Sequence, residues 1–564
     1  MAVMRLAQLA LVVTLAASAL HCSSEEPKPE APEAIVENRP GQLKMTSPGR
    51  AAFLTDDGQP VEVRGTGATS ALTINGEPAE VAADGSFRAK VSAAKGLNLV
   101  VAVDGESRLE TPFLFGRYLK AETPIAQAIA LDVGSRGLSA PLPAASLESV
   151  TNLALEKRNL IANFAGQSFS GTVTGATWGF VVTGGRNGAT KVAFAAAARG
   201  VAVDAAISDV VVDGRLSITA LGLTYARDVR ITVDGAVVTG DVEVAVEPTK
   251  GTLSAAMPTA AAKLDGFRFD TDNAGFPCCV DTIITGFMKP KVEAAIRDGL
   301  REQLPKALQL TLDGIGIPKQ LDLAAAGISL RMPIATRFDG SSFGLTGLTI
   351  TASTLFGGTF NPGTPGDRAP GWISFAQPYA EGAPRPPVLG ASFSLDAVNQ
   401  LMFAAWGSGA LSFTLPSPLD AKMTPALPPI VSISEAGVLR VGLGEILVQR
   451  TTSKTPLAAV TVMQDVAPSG DRDALVLTPK GEPTISITWL SDEIVGSGRN
   501  LVAVAAKEQL GKFLTPFRLP IPKFALGALG AGFAGQSLAI DSANVVVDKA
   551  TGRIHASGAM RLAR

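Results

Sequence analysis

Apolar and polar residues alternate along most of this chain with the two-residue period of strands, and four stretches switch to helical spacing. Near the N-terminus, Val61-Glu-Val-Arg-Gly65, Leu72-Thr-Ile-Asn-Gly76, Asp84-Gly-Ser-Phe87 and Leu97-Asn-Leu-Val-Val-Ala-Val103 predict short strands. Their Asn-Gly and Asp-Gly dipeptides supply the positive φ of tight hairpins. From residue 171 the strands lengthen, at 171–174, 178–183, 190–197, 201–212, 216–225, 229–233 and 242–246. Long alternating strands with tight turns predict an extended antiparallel sheet, strongly curved or closed.

The helical stretches are 147–164, 281–308, 394–411 and 499–514. In 281–308, Ile284, Phe287, Met288, Val292, Ala295 and Ile296 share one side, and Pro290 predicts a kink. In 394–411, Leu395, Val398, Leu401, Met402 and Ala405 are apolar, Ser394 can cap the start, and Gly407 or Gly409 can end it. Asp396, Asn399 and Gln400 leave that helix only a thin polar side, so it belongs against a greasy surface. Helix–strands–helix–strands occurs twice, around a Pro/Gly-rich connector at 361–387, which predicts two similar halves.

Composition narrows the chemistry. Hydrophobic residues are 46% of the 564 and aromatics 5%, so the cores are built from Val, Leu, Ile and Ala. A net charge of −2 offers no basic field for nucleic acid. The two histidines, His21 and His555, leave little room for His-based catalysis or zinc. No Gly-x-Ser-x-Gly elbow, P-loop, His-Glu-x-x-His or Cys-x-x-Cys is present. Asp270-Thr-Asp272-Asn273 lacks the calcium-loop offsets and reads as a polar turn. No enzyme, metal or cofactor is expected, although a pair of glycosidase carboxylates leaves no sequence mark. Three tyrosines and four tryptophans are too few for the girdles of a transmembrane barrel.

Arg5, the apolar run 6–20 and His21-Cys22 read as an export signal. Ala19-Leu20-His21-Cys22 resembles the bacterial lipoprotein box, which implies lipidation at Cys22, with palmitate in the anchor. His21 stands where the box has a small residue; the alternative is an ordinary secretory signal with a stray cysteine. A Pro- and Glu-rich tether follows, as an anchored protein needs. Cys278 and Cys279 are adjacent, a poor geometry for bridging each other.

The strands of 47–118 resemble bacterial immunoglobulin-like modules, which implies a spacer or a contact domain for a protein partner. Three further pieces carry a larger resemblance: 281–323 with its return strand Gly327-Ile-Ser-Leu, 388–411, and Phe517-Arg-Leu-Pro-Ile-Pro. On these the chain resembles the tubular lipid-binding (TULIP) superfamily, of the bactericidal/permeability-increasing type. The vertebrate members' disulfide and basic tip have no counterpart, so endotoxin binding is not carried over.

The resemblance implies an α+β, mostly β fold: two elongated antiparallel barrels, each wrapped around a long helix in a boomerang, preceded by a small β-sandwich. The expected division is 1–21 signal peptide, 22–46 tether, 47–118 sandwich, 119–335 first barrel, 336–388 central strands and connector, and 389–564 second barrel. Ile284, Phe287, Met288, Val292, Val398, Leu401, Met402 and Ala405 are the candidate pocket walls, with plain core positions as the alternative reading. The expected function is an envelope lipoprotein, at the outer membrane and facing periplasm or surface, that binds and transfers lipids. The rival is a structural or adhesive scaffold whose barrels are packed solid.

Overall fold

A computed structural model describes residues 35–38, 41–140, 145–156, 158–173, 175–220, 222–271, 289–316, 320–325, 328–357, 360, 362–377, 379, 388–415, 420–434, 436–453, 455–471, 474–491, 499, 502–504, 517–521, 523–527 and 534–563. The fold is α+β and mostly β, with curled sheets and few helices.

A five-stranded and a four-stranded sheet make the N-terminal sandwich, which begins at Lys44. Its core holds Val63, Leu72, Phe87, Val100, Ala102 and Phe113. The Asn75-Gly76 turn has φ of 51° and 86°, the conformation its sequence predicts.

The two halves share one nine-stranded central sheet, in which Ile125–Gly134 of the first pairs with Leu389–Ser394 of the second. Leu389–Ser394 is buried at every position, as a strand covered on both faces must be. Arg553 crosses this junction: Nε donates to Ser392 Oγ at 3.0 Å and Nη2 to the Gln127 carbonyl at 2.9 Å. Its guanidinium lies 5.1 Å from the Tyr379 ring, and burial pulls its pKa down to about 10. Asp132 accepts from Thr349 Oγ1 at 2.6 Å and from the Tyr379 hydroxyl at 3.1 Å.

The first half is an eight-stranded curled sheet built on one long hairpin, Gly200–Ala220 with Leu223–Glu247. The second half is a nine-stranded sheet. Ile35–Asn38, within the expected tether, adds to it as a parallel edge strand beside Thr484–Trp489.

Helix α1 is Leu147–Leu155, opened by a Ser146/Ser149 capping box. It is shorter than the 147–164 that periodicity predicts. Asn187 Oδ1 accepts the Leu160 amide at 2.7 Å, and Asn159 Oδ1 accepts the Ala162 amide at 3.1 Å at the start of a separate 3-10 turn, Ile161–Phe164. Helix α2 is Lys289–Asp313. Pro305 lies inside it; the residues before Lys289, on which the expected kink at Pro290 depends, lie outside the described set. Helix α3 is Leu395–Gly407, capped by Ser394, whose hydroxyl accepts the Ala397 amide at 3.2 Å. Of the fourth expected helix, Arg499 and 502–504 are described and are helical.

Candidate functional site

Strand alternation gives the first half an apolar inner face. Trp178, Phe180 and Val182 come from one strand. Val203, Ala205, Ile207, Val212, Leu216 and Ile218 come from the first arm of the long hairpin, with Val229, Ile231, Val233, Val238 and Val242 from the second. At Asp209, with φ 50°, the pairing lapses between Ser208 and Val210 without a change of register, and the inward phase passes from odd positions (Val203, Ala205, Ile207) to even ones (Val212, Leu216, Ile218). The outer face carries Asp213, Arg215, Asp228 and Arg230, joined in cross-strand ion pairs.

Two helices close this trough. On one edge, α1 grips the strand Thr190–Ala197: the Asn152 amide accepts the Val192 N–H at 2.6 Å and donates to its carbonyl at 2.8 Å. Glu148 accepts the Phe194 N–H at 2.8 Å. On the other edge, α2 grips the strand Thr252–Ala256 in the same way. Gln309 accepts the Ala255 N–H at 2.7 Å and donates to the Leu253 carbonyl at 2.8 Å. Arg301 Nε donates to the Met257 carbonyl at 2.7 Å. In each case a side-chain amide stands in for the next strand, so the sheet edge is satisfied. The tube shuts where Gly299 of α2 meets the Phe164 ring; a Cβ there would lie 2.1 Å from Cζ. A groove of about 530 Å³ opens between α2 and the strand edge, floored by Met257, Pro258 and Pro305 and rimmed by Arg301 and Lys306.

Of the residues expected as walls, Val292 lies on α2, with its side chain outside the described set; Ile284, Phe287 and Met288 lie outside the described residues. So do Cys22, Cys278 and Cys279. Val398, Leu401 and Ala405 are buried in the central core, and Met402 is half-buried. The thin polar side of α3 is buried too, with each residue on a different element. Asp396 accepts from Ser374 Oγ at 2.7 Å and from the Phe375 and Ala376 amides at 2.6 and 2.9 Å. Burial raises its pKa above the usual carboxylate value, and these hydrogen bonds oppose the rise. Asn399 takes both backbone groups of Val431, at 2.7 and 2.9 Å. Gln400 accepts from Phe356 at 2.9 Å and donates to the Thr123 carbonyl at 2.8 Å. On the apolar side, Val398, Leu401 and Ala405 belong to the same buried core as Leu389, Phe393 and Phe403.

The sandwich docks on the second half. Arg50 forms a fork with buried Glu445, at 2.7 and 3.0 Å. Ser486 donates to buried Glu110, and Leu114, Ile373, Leu427 and Ile430 form a small shared core. Phe53 reaches Trp406 of α3, with ring centroids 6.3 Å apart. Among the described residues no helix is long and apolar enough to cross a membrane, and no cluster of His, Cys, Asp and Glu is placed to hold a metal.

No family model matches the sequence, and no curated protein matches it. Among solved structures, lipopolysaccharide binding protein is similar at TM-score 0.41 and 11% identity, over 78% of this chain and 100% of that one. Takeout 1 of Epiphyas postvittana is similar at TM-score 0.21 and 14% identity, over 31% of this chain and 94% of that one.

Proposed function

We propose that this chain is a lipid-anchored protein of the cell envelope that holds acyl chains inside its first barrel. The observation that carries the reading is the inner face of the long hairpin, which is lined by Val, Ile, Leu and Ala and closed by α1 and α2. Transfer of each methylene from water to such a lining gains about 0.8 kcal/mol, so a long chain needs only dry aliphatic walls. Ala205 and Ala236, both inward-facing, keep those walls low. The groove beside α2 gives a polar headgroup a place at the rim. In the second half, Val398, Leu401 and Ala405 are engaged with protein, and Met402 keeps a half-open face toward any second slot.

Anchoring rests on Cys22 and the signal-like run before it, and an outer-membrane address facing periplasm or surface goes with it. Lipid transfer between membranes would follow from a tube with a mobile cover.

The test is mass spectrometry of lipids extracted from the purified chain, together with displacement of a fluorescent acyl probe. Stoichiometric lipid that falls in an Ala205→Phe, Ala236→Phe variant supports the reading. Absence of both lipid and probe binding would leave a solid-packed scaffold. Cys22→Ser should release the protein from the membrane fraction; retention of that variant would remove the anchor.

A further inference from the structure

The sandwich docks on the second half through one of its two sheets. Arg50, Phe53, Glu110 and Leu114, which make that junction, lie on the five-stranded sheet or in the turn that enters it. The four-stranded sheet runs Lys44–Ser47, Val61–Thr66, Phe87–Val91, Glu80–Val81. Residues directly opposite one another share a face. The register sets Lys44 against Thr66, Arg64 against Arg88, Glu80 against Arg88, and Glu62 against Lys90. Val61, Val63, Phe87 and Val91 take the inner phase, so the outer face carries Lys44, Arg64, Arg88 and Lys90 against the two acids Glu62 and Glu80.

Like charges set directly opposite one another destabilise a sheet. Glu62 offsets part of that cost, giving one carboxylate oxygen to Arg64 at 2.6 Å and the other to Arg88 at 3.2 Å. One carboxylate is thus divided between two guanidiniums, and each keeps donors for a second anion. Among the described residues, Lys44 and Lys90 have no ion-pair partner, and Arg64 and Arg88 have none besides Glu62. Beside the arginines lies a groove of about 560 Å³, with Val81, Ala82 and Phe87 as its apolar part and Thr46 and Ser86 as its polar part. Phe87 reaches across Gly65, where a Cβ would lie 2.2 Å from its Cζ.

We infer that this outer face docks an extended acidic segment of a protein partner. Along an extended chain, alternate side chains share a face about 6–7 Å apart, which is also the spacing of Arg88 and Lys90 on their own strand. Acids at alternate positions therefore meet both cations, and Arg64 closes on the carboxylate at Arg88 from the neighbouring strand. An apolar side chain flanking the acids fills the groove beside Phe87. An anionic bilayer would meet Glu62 and Glu80 along with the cations, and would find no large apolar side chain on this face to draw in. Nucleic acid needs a broader positive field than four cations set among two acids. The surface is separate from the acyl site, and neither depends on the other.

The test uses the full chain and a fluorescein-labelled peptide, Leu-Glu-Ser-Glu-Ser-Glu, read by fluorescence anisotropy. The expected result is binding that weakens about tenfold in Arg64→Gln, Arg88→Gln, as the loss of two exposed ion pairs implies. Binding should vanish when the glutamates of the peptide are replaced by glutamine. Both arginine side chains are more than half exposed and oppose each other, so the double variant keeps its fold. Lys120→Gln, Lys422→Gln removes the same charge from exposed positions elsewhere and should leave the affinity unchanged. A peptide that does not bind, or that binds the two double variants alike, overturns the inference. Phosphatidylglycerol vesicles that hold the Cys22→Ser chain and release it on Arg64→Gln, Arg88→Gln, with no peptide bound, assign the face to a lipid surface and overturn it as well.

Discussion

Asn399 is the test of how α3 joins the two halves. It is 1% exposed, and it pairs with both backbone groups of Val431, accepting the N–H at 2.7 Å and donating to the carbonyl at 2.9 Å. Asn399→Ala leaves both groups buried, and each unsatisfied group costs about 1–3 kcal/mol. With partial relaxation the sum is about 2–4 kcal/mol. Asn152 makes the same pair of bonds to Val192 but is half-buried, so water can replace it. Asn152→Ala should therefore cost only about 1 kcal/mol. A chain of several sheets need not unfold in one step, so the assay is local: hydrogen exchange by mass spectrometry, read on peptides covering 430–433 and 190–197. Equal losses at the two sites, or a loss at 430–433 below about 1 kcal/mol, would refute the view that burial makes the α3 clamp the stronger one.

Arg50→Ala strands Glu445 as a buried carboxylate without its fork; loss of such a partner costs about 3–5 kcal/mol when the ion stays buried. The sandwich should then detach, seen as faster proteolysis between it and the barrels and as a larger radius in small-angle scattering. Gly299→Val forces a Cβ into the Phe164 ring and should open the tube at a cost of about 1–3 kcal/mol. Phe164→Ala should restore lipid content in that background if the clash is the cause. The pKa of His555 is lowered, chiefly by burial, so folding favours its neutral form. Stability from this group is present above the ordinary value of 6.5 and is lost as pH falls through the depressed one. His555→Phe should flatten the decline in stability on acidification below pH 6.5, followed by hydrogen exchange of the strand Arg553–Ala563.

The strand periods, the hairpin turns and α3 were legible because each is written within about twenty residues. Ser394, the apolar spacing and Gly409, at φ +78°, bound α3 as they read. What α3 touches was not legible. Gln400 reaches Thr123, 277 residues earlier, and Arg50 reaches Glu445 across 395 residues, distances over which spacing carries no signal. Glu445 did leave a trace: an acid inside the apolar run 441–448 asks for a partner, although not for a particular one. The edge strand Ile35–Asn38 was also marked, by two β-branched residues amid Pro and Glu, and was absorbed into the tether. Alternation read 216–225 as one strand, whereas one strand ends at Ala220 and the next begins at Leu223, with Gly222 at φ +81° between them; the apolar residues on both sides of the turn hid it.

The two halves repeat one device and use it differently. An Asn or Gln on a helix replaces a strand at an open sheet edge three times, at Asn152, Gln309 and Asn399. Around Asn399 everything else is also fastened: Asp396 and Gln400 are saturated, Phe53 of the sandwich packs on Trp406, the Arg50–Glu445 fork is buried on the Glu445 side, and Ile35–Asn38 adds a strand. Opening that half would break several buried polar groups at once, each with no water to take its place. Around Gln309 and Arg301 the contacts lie at a half-exposed rim beside an open groove, where water can substitute for each bond as it breaks. Among the described polar contacts, those of α2 are therefore the easier to exchange for water, and those that fasten the second half to its docked sandwich are the harder.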